Sequence, residues 1–225
     1  MGYPITIRSN DDFELSAHRA DPEGPPTGAV VVVQEVFGIT DHIRAVVDRY
    51  AANGYVAVAP ALFDRIQPGI ELAYDSDGIA EGIKLARGEV DLDQAVQDLV
   101  ASARSVAEVG KVGIVGFCWG GLLTALCAIR GGDTFAAASS YYGGGTPSLA
   151  PQQPVVPMIM HFGKDDHAIP LEDVRTLQEA WPDVTMYLYD GAGHGFNCDH
   201  RQSFDAASAA QAEERTLEFF AQHLS

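Results

Sequence analysis

Apolar residues fall in short runs separated by longer amphipathic stretches. Residues 29–33, 55–59, 111–115, 135–142, 157–162 and 184–189 are short and dominated by Val, Ile, Ala, Met and aromatic side chains. Runs of that length and character read as strands covered on both faces. Residues 41–53 and 91–107 repeat apolar side chains at three- and four-residue spacing, the period of a helix with one buried stripe. Residues 121–130, 171–180 and 203–224 read as further helices, and Asn53-Gly54 is a good helix stop. A short helix is expected over 79–86 and an irregular loop, lying over the top of the sheet, over 62–78. Residues 3–20 alternate apolar and polar, which predicts two antiparallel strands joined at Ser9-Asn10-Asp11-Asp12. Strands alternating with helices predict an α/β fold: a mainly parallel central sheet with helices on both faces.

Composition narrows the picture. At 225 residues, with no linker-like stretch and no internal repeat, one domain over 1–225 is expected. Fourteen Lys and Arg against 31 Asp and Glu give a net charge of −17, a field that repels nucleic acid and anionic membranes. No apolar run approaches the roughly 20 residues of a membrane span. The first residues lack the basic and apolar regions of a signal peptide, so the cytoplasm is the expected compartment. Three cysteines without a C-x-x-C or a metal-type spacing predict neither a disulfide framework nor a metal site.

The candidate chemistry centres on Gly116-Phe117-Cys118-Trp119-Gly120. A buried strand leads into it and a helix leaves it, so Cys118 sits on a sharp strand-to-helix turn, the G-x-nucleophile-x-G elbow. The helix start directs free N–H groups and its positive dipole end at the sulfur, which favours thiolate over thiol. A buried spectator cysteine or a phosphate loop would leave the same local trace. The rest of the chain separates these readings. Cys118, Asp166 and His194 fall at the C-terminal ends of three strand units, in the order nucleophile, acid, histidine of an α/β-hydrolase triad. Asp165 competes with Asp166 for the acid role. A thiolate attacks an acyl carbon, a histidine manages protons, and a carboxylate fixes the imidazole tautomer. The second backbone donor of an oxyanion hole is expected at Val36, beside that of Trp119. Glu35 either reaches solvent at the end of its strand or belongs to the site, where functional groups of open α/β sheets gather. His161, inside an apolar strand, reads as a satisfied core histidine, and His167 as structural or rim-exposed. Cys127 reads as core and Cys198 as a spectator near the site. His18, His42, His200 and His223 carry no catalytic signal.

With these residues in place, the chain resembles the dienelactone hydrolase (carboxymethylenebutenolidase) family. The matching motifs are Q-E-V-F-G at 34–38, G-F-C-W-G-G at 116–121, Y-Y-G at 141–143, H-F-G at 161–163, D-H-A-I-P at 166–170 and H-G-F at 194–196, with E-R-T-L-E-F-F at 214–220 similar to the final helix. The resemblance implies an α/β-hydrolase fold and a monomeric hydrolase of cyclic enol esters or similar carboxylic esters, without metal or cofactor. It implies Cys118, Asp166 and His194 as the triad, with Asp166 preferred over Asp165. It also implies that Glu35 pairs with the resting thiol and lets go when substrate binds. The family's two carboxylate-binding arginines are not matched in place. Lys84 or Arg87 is the nearest substitute for the first, and Arg201, later than the family's spacing, for the second. Phe37, Trp119, Tyr141 and Tyr142 are expected to wall the substrate pocket. The alternatives are a general carboxylesterase or thioesterase acting on a neutral substrate, and a non-catalytic binder that keeps the hydrolase pocket.

Overall fold

Strands β1 (Tyr3–Arg8), β2 (Glu14–Ala20), β3 (Ala29–Val33), β4 (Val56–Pro60), β5 (Val112–Phe117), β6 (Ala137–Tyr141), β7 (Met158–Gly163) and β8 (Thr185–Tyr189) form one sheet. Its order is β1-β2-β4-β3-β5-β6-β7-β8. This is a computed structural model, and it describes residues 2–225. β1 and β2 pair antiparallel with Tyr3 opposite Arg19, and β2 joins β4 antiparallel. From β4 to β8 every pairing is parallel. Parallel neighbours need crossover connections, and the amphipathic segments supply them. All five residues of β3, Ala29 followed by four valines, are fully buried, as β-branched side chains covered on both faces should be.

The helices are α1 (Asp41–Ala52), α2 (Ser76–Lys84), α3 (Leu92–Arg104), α4 (Trp119–Arg130), α5 (Leu171–Ala180) and α6 (Ala206–Leu224). α3 and α4 pack on each other over one face of the sheet. α1 and α6 cover the other face, tied by an Arg49–Glu213 ion pair at 3.3 Å and by Tyr50 against Phe220 at 6.1 Å. Side-chain caps start several of them: Asp75 accepts from Gly78 N–H, Asp91 from Asp93 and Gln94 N–H, and Asp205 from Ser208 N–H.

The expected short helix at 79–86 starts earlier, at Ser76, because Asp75 caps it. It then widens into a π turn, Leu85–Glu89, closed by Val90 N–H to Leu85 O at 3.0 Å. The stretch read as irregular from 62 also holds a 3-10 turn, Leu62–Arg65. Arg65 at its end reaches the buried carboxylate of Asp98 at 2.6 Å and Asp11 at 2.8 Å.

His161 is the core histidine its strand implied. It is fully buried, with Nδ1 2.8 Å from Tyr189 Oη and Nε2 3.1 Å from Thr216 Oγ1. Thr216 also meets Ser139 and Tyr141 hydroxyls, so one α6 residue joins three strands through this network. Burial, helped by the Arg215 charge, pushes the His161 ring down to about 3. The unfolded chain therefore takes up a proton here between about pH 6.5 and 3 while the folded chain does not. This contribution to stability is intact above about pH 6.5 and is lost as pH falls. Urea midpoints at pH 7 and pH 4 should show a smaller acid-induced drop in His161→Gln than in the wild type. Equal drops would remove His161 from the acid response.

Candidate active site

β5 delivers Cys118 to the elbow with φ 55° and ψ −116°, a conformation that costs energy for a non-glycine residue. The surroundings hold it there. Cys118 N–H donates to Tyr141 O at 3.0 Å, and α4 begins at the next residue. The flanking glycines make the approach of strand and helix possible. A Cβ on Gly116 would lie 2.1 Å from Gly120 O, and one on Gly120 would lie 2.5 Å from the Gln34 and Val33 carbonyl oxygens.

The loops after β7 and β8 bring the other two side chains to the sulfur. His194 Nε2 lies 3.1 Å from Cys118 Sγ, and its Nδ1 lies 2.8 Å from Asp166 Oδ2. The Asp166 side chain is buried, and its Oδ1 accepts from Ala168 N–H at 2.8 Å and Ile169 N–H at 3.2 Å. Both carboxylate oxygens are thus occupied, and an ionised carboxylate only accepts, so Nδ1 carries the proton. Burial works against charge on the ring. The hydrogen bonds to Asp166 and Cys118 outweigh it and raise His194 to about 10. Asp165 lies at the cavity mouth, where its N–H donates to Ala192 O.

Cys118 and His194 open onto a cavity of about 650 Å³. Phe37, Trp119 and Leu122 line it from below, and α2 with its π turn covers it with Ile79, Ile83 and Arg87. The Trp119 ring stacks on Phe63 with centroids 5.3 Å apart. The Trp119 N–H is the first of α4, where no intrahelical acceptor exists, and Val36 lines the same wall. His167 is exposed on the rim.

Several expectations for the site need correction. Tyr141 and Tyr142 are fully buried and do not line the cavity. Tyr141 donates or accepts at Thr216 Oγ1, 2.7 Å away, on the α6 side of the sheet. Tyr142 turns under the site because its φ is 38°, placing its ring edge-on to His194 at 5.3 Å. Lys84 points away from the cavity, paired with Glu81 at 3.1 Å and Glu89 at 3.5 Å. Arg87, three residues on, faces the cavity instead.

Glu35 is buried, but its hydrogen bond goes to Arg201 Nη1 at 3.4 Å and not to the Cys118 thiol. Two tight turns, Cys198 N–H to Gly195 O and Arg201 N–H to Cys198 O, fold the loop back and carry Arg201 to the site. Its guanidinium lies over Gly195, where a Cβ would meet Nη1 at 2.2 Å. The later spacing after His194 is absorbed by this loop.

Sequence reasoning passed over one group. His42, in the first turn of α1, is fully buried, with Nδ1 2.7 Å from Asp199 Oδ1. Together with Cys198 these residues present ligand-type atoms within 4.8 Å of one another. They are the donors that could hold a metal, although the His42–Asp199 hydrogen bond already uses two of the atoms. Burial, then the nearby Glu35 charge, pushes the Cys198 thiol up to about 12, which keeps it unreactive. Cys127 is buried in α4.

A mostly parallel sheet with a strained elbow after β5, an acid after β7 and a histidine after β8 defines an α/β-hydrolase. The model of the dienelactone hydrolase family matches residues 15–224. The chain is 34% identical to the "Putative carboxymethylenebutenolidase" of Synechocystis sp., over 96% of this chain and 94% of that protein. It is 32% identical to the carboxymethylenebutenolidase of Pseudomonas putida, over 96% and 95%. The crystal structure of a "Putative Dienelactone Hydrolase" from Klebsiella pneumoniae superimposes with a TM-score of 0.86, at 29% identity and 99% coverage of both chains. The chain belongs to the dienelactone hydrolase family, a family of hydrolases.

Proposed function

We propose that the protein is a cysteine-dependent hydrolase of carboxylic esters and lactones, working through an acyl-enzyme. The observation that carries this reading is the chain of contacts from Asp166 through His194 to Cys118, at 2.8 and 3.1 Å, opening on an apolar cavity. The Cys118 thiolate attacks the carbonyl carbon, forming a C–S bond. The N–H groups of Trp119 and Val36 hold the oxyanion. As the C–O bond breaks, His194 Nε2 gives its proton to the leaving oxygen. In a lactone that oxygen stays tethered to the acyl group. His194 then takes a proton from water, which attacks the thioester and releases a carboxylic acid. Every group in this scheme comes from a single chain, which fits an enzyme acting as a monomer. A cytoplasmic setting fits the composition.

The cavity suits an apolar ester body with an anionic group at one end. Arg87 is exposed on the cavity and has no ion-pair partner among the described residues, since Lys84 holds both nearby glutamates. The mostly aliphatic and aromatic walls equally favour a neutral ester. Steady-state hydrolysis of a matched pair separates the two: a p-nitrophenyl ester of a dicarboxylic acid and its neutral alkyl counterpart. Arg87→Met should lower kcat/KM for the anionic ester about tenfold, as expected for loss of one charged contact, and leave the neutral ester unchanged. Equal rates on both esters in both proteins would assign the site to neutral substrates.

A further inference from the structure

Gln34 is fully buried and uses both ends of its side-chain amide. Its Oε1 accepts from Leu62 N–H at 3.1 Å, and its Nε2 donates to Glu35 O at 3.3 Å. The partners fix which way the amide faces, because Leu62 N–H only donates and Glu35 O only accepts. Leu62 opens the 3-10 turn after β4. That turn is itself held: Ala61 N–H donates to Ser16 O at 2.8 Å, and Arg65 pairs with Asp98 and Asp11. Gln34 therefore ties the chain after β3 to a fixed neighbour.

The bond it makes falls on one particular peptide. Glu35 O and Val36 N–H belong to the same unit, which is trans. In a trans peptide the C=O and N–H point in opposite directions. Holding Glu35 O thus sets the direction of Val36 N–H. Val36 is buried, yet among the described residues its N–H has no hydrogen-bond acceptor. A buried N–H without a protein partner is rare, and Val36 lines the cavity beside Cys118 and Trp119. The next peptide is held by contact. Gly82 of α2 packs so closely that a Cβ there would lie 2.2 Å from Val36 O and 2.9 Å from Val36 Cβ.

We propose that Gln34 is a positioning residue for ester hydrolysis: its amide, with Gly82 packed on the following peptide, aims Val36 N–H at the oxyanion. This rests on the reading of Val36 N–H as an oxyanion donor. Two effects add. Val36 N–H is directed before substrate arrives, so nothing need reorganise as charge develops on the carbonyl oxygen. The hydrogen bonds also run in series, from Leu62 N–H through the Gln34 amide to the Val36 peptide. Each polarises the next, which makes Val36 N–H a stronger donor. Gln34 does not line the cavity, so it acts through this peptide.

The test compares reactions at Cys118 that do and do not place charge on a carbonyl oxygen. Hydrolysis of p-nitrophenyl acetate does, and so does reversible addition of butyraldehyde to give a thiohemiacetal. Alkylation by iodoacetamide does not, because sulfur displaces iodide from a saturated carbon. Gln34→Met keeps the length of the side chain and removes the amide. Its kcat/KM and its butyraldehyde affinity should each fall about tenfold or more, part of the loss expected for a missing oxyanion donor. Its alkylation rate, at equal folded concentration, should be unchanged. A residue of purely structural value would move all three together or none. Should Gln34→Met fail to fold, Gly82→Ala disturbs the neighbouring peptide from α2, and the same split is expected. Unchanged hydrolysis, alkylation slowed as much as hydrolysis, or hydrolysis slowed without loss of butyraldehyde affinity overturns the proposal. The role of Val36 is tested separately by incorporating 2-hydroxyisovaleric acid at position 36, which replaces the N–H with an ester oxygen. If that ester impairs hydrolysis and butyraldehyde binding while Gln34→Met does not, only the proposal falls. An ester variant that matches the wild type in both removes Val36 as a donor, and the proposal falls with it.

Discussion

Cys118→Ala should abolish ester hydrolysis, with a loss of roughly ten-thousand-fold or more in kcat, while the protein folds and its cavity keeps its shape. The size of the loss follows from the proposed division of labour. The sulfur forms the covalent bond that divides hydrolysis into two easier steps, and among the described residues Cys118 is the one nucleophile hydrogen-bonded to the His194 ring. Cys198 is buried with its thiol pushed up to about 12, and Cys127 is buried in α4. Neither replaces Cys118 without moving the elbow. The Oγ of Cys118→Ser would meet the same histidine, but a hydroxyl is far less acidic than a thiol and stays protonated until a base takes its proton during attack. Serine should therefore recover little. The check is steady-state hydrolysis of p-nitrophenyl acetate by wild type and both variants at equal folded concentration. Residual activity above a tenth of wild type in Cys118→Ala would mean the chemistry is elsewhere.

Gly116→Ala should cost about 3 kcal/mol or more of stability, at the severe end of overpacking substitutions. The added Cβ would lie 2.1 Å from Gly120 O and 2.4 Å from Thr124 Oγ1. Gly120 O is backbone at the start of α4, so relief requires the helix to lift off β5. That movement would also carry the Trp119 N–H and Cys118 away from the cavity. Loss of activity should therefore accompany the loss of stability in urea unfolding. An alanine variant with an unchanged urea midpoint would show that the strand–helix contact is looser than its geometry implies.

The strand and helix pattern was legible because burial sets it locally. The valines of β3 and the stripes of α1 and α3 carry their environment in their spacing. The site was legible as far as it depends on strand ends: Cys118, Asp166 and His194 stand where β5, β7 and β8 stop, and the structure brings them into contact. Side-chain direction beyond a strand end was not legible. Tyr142 follows β6 directly, and only its positive φ turns it beneath His194 and away from the cavity. Lys84 and Arg87 are three residues apart on one segment, and the π turn and the two glutamates decide which faces inward. Arg201 reaches Glu35 through a loop whose turns compensate for its late position. His42 and Asp199 are 157 residues apart, so no local pattern could announce their contact.

The central claim is covalent catalysis at Cys118, and trapping the acyl-enzyme tests it most directly. The protein would be mixed with excess p-nitrophenyl acetate, quenched in acid within the first turnovers, and analysed by intact mass and peptide mapping. The account predicts one acetyl group per chain, confined to the peptide carrying Cys118, absent in Cys118→Ala and discharged by turnover when the quench is delayed. Burst kinetics with the label on another residue, or turnover undiminished in Cys118→Ala, would contradict it.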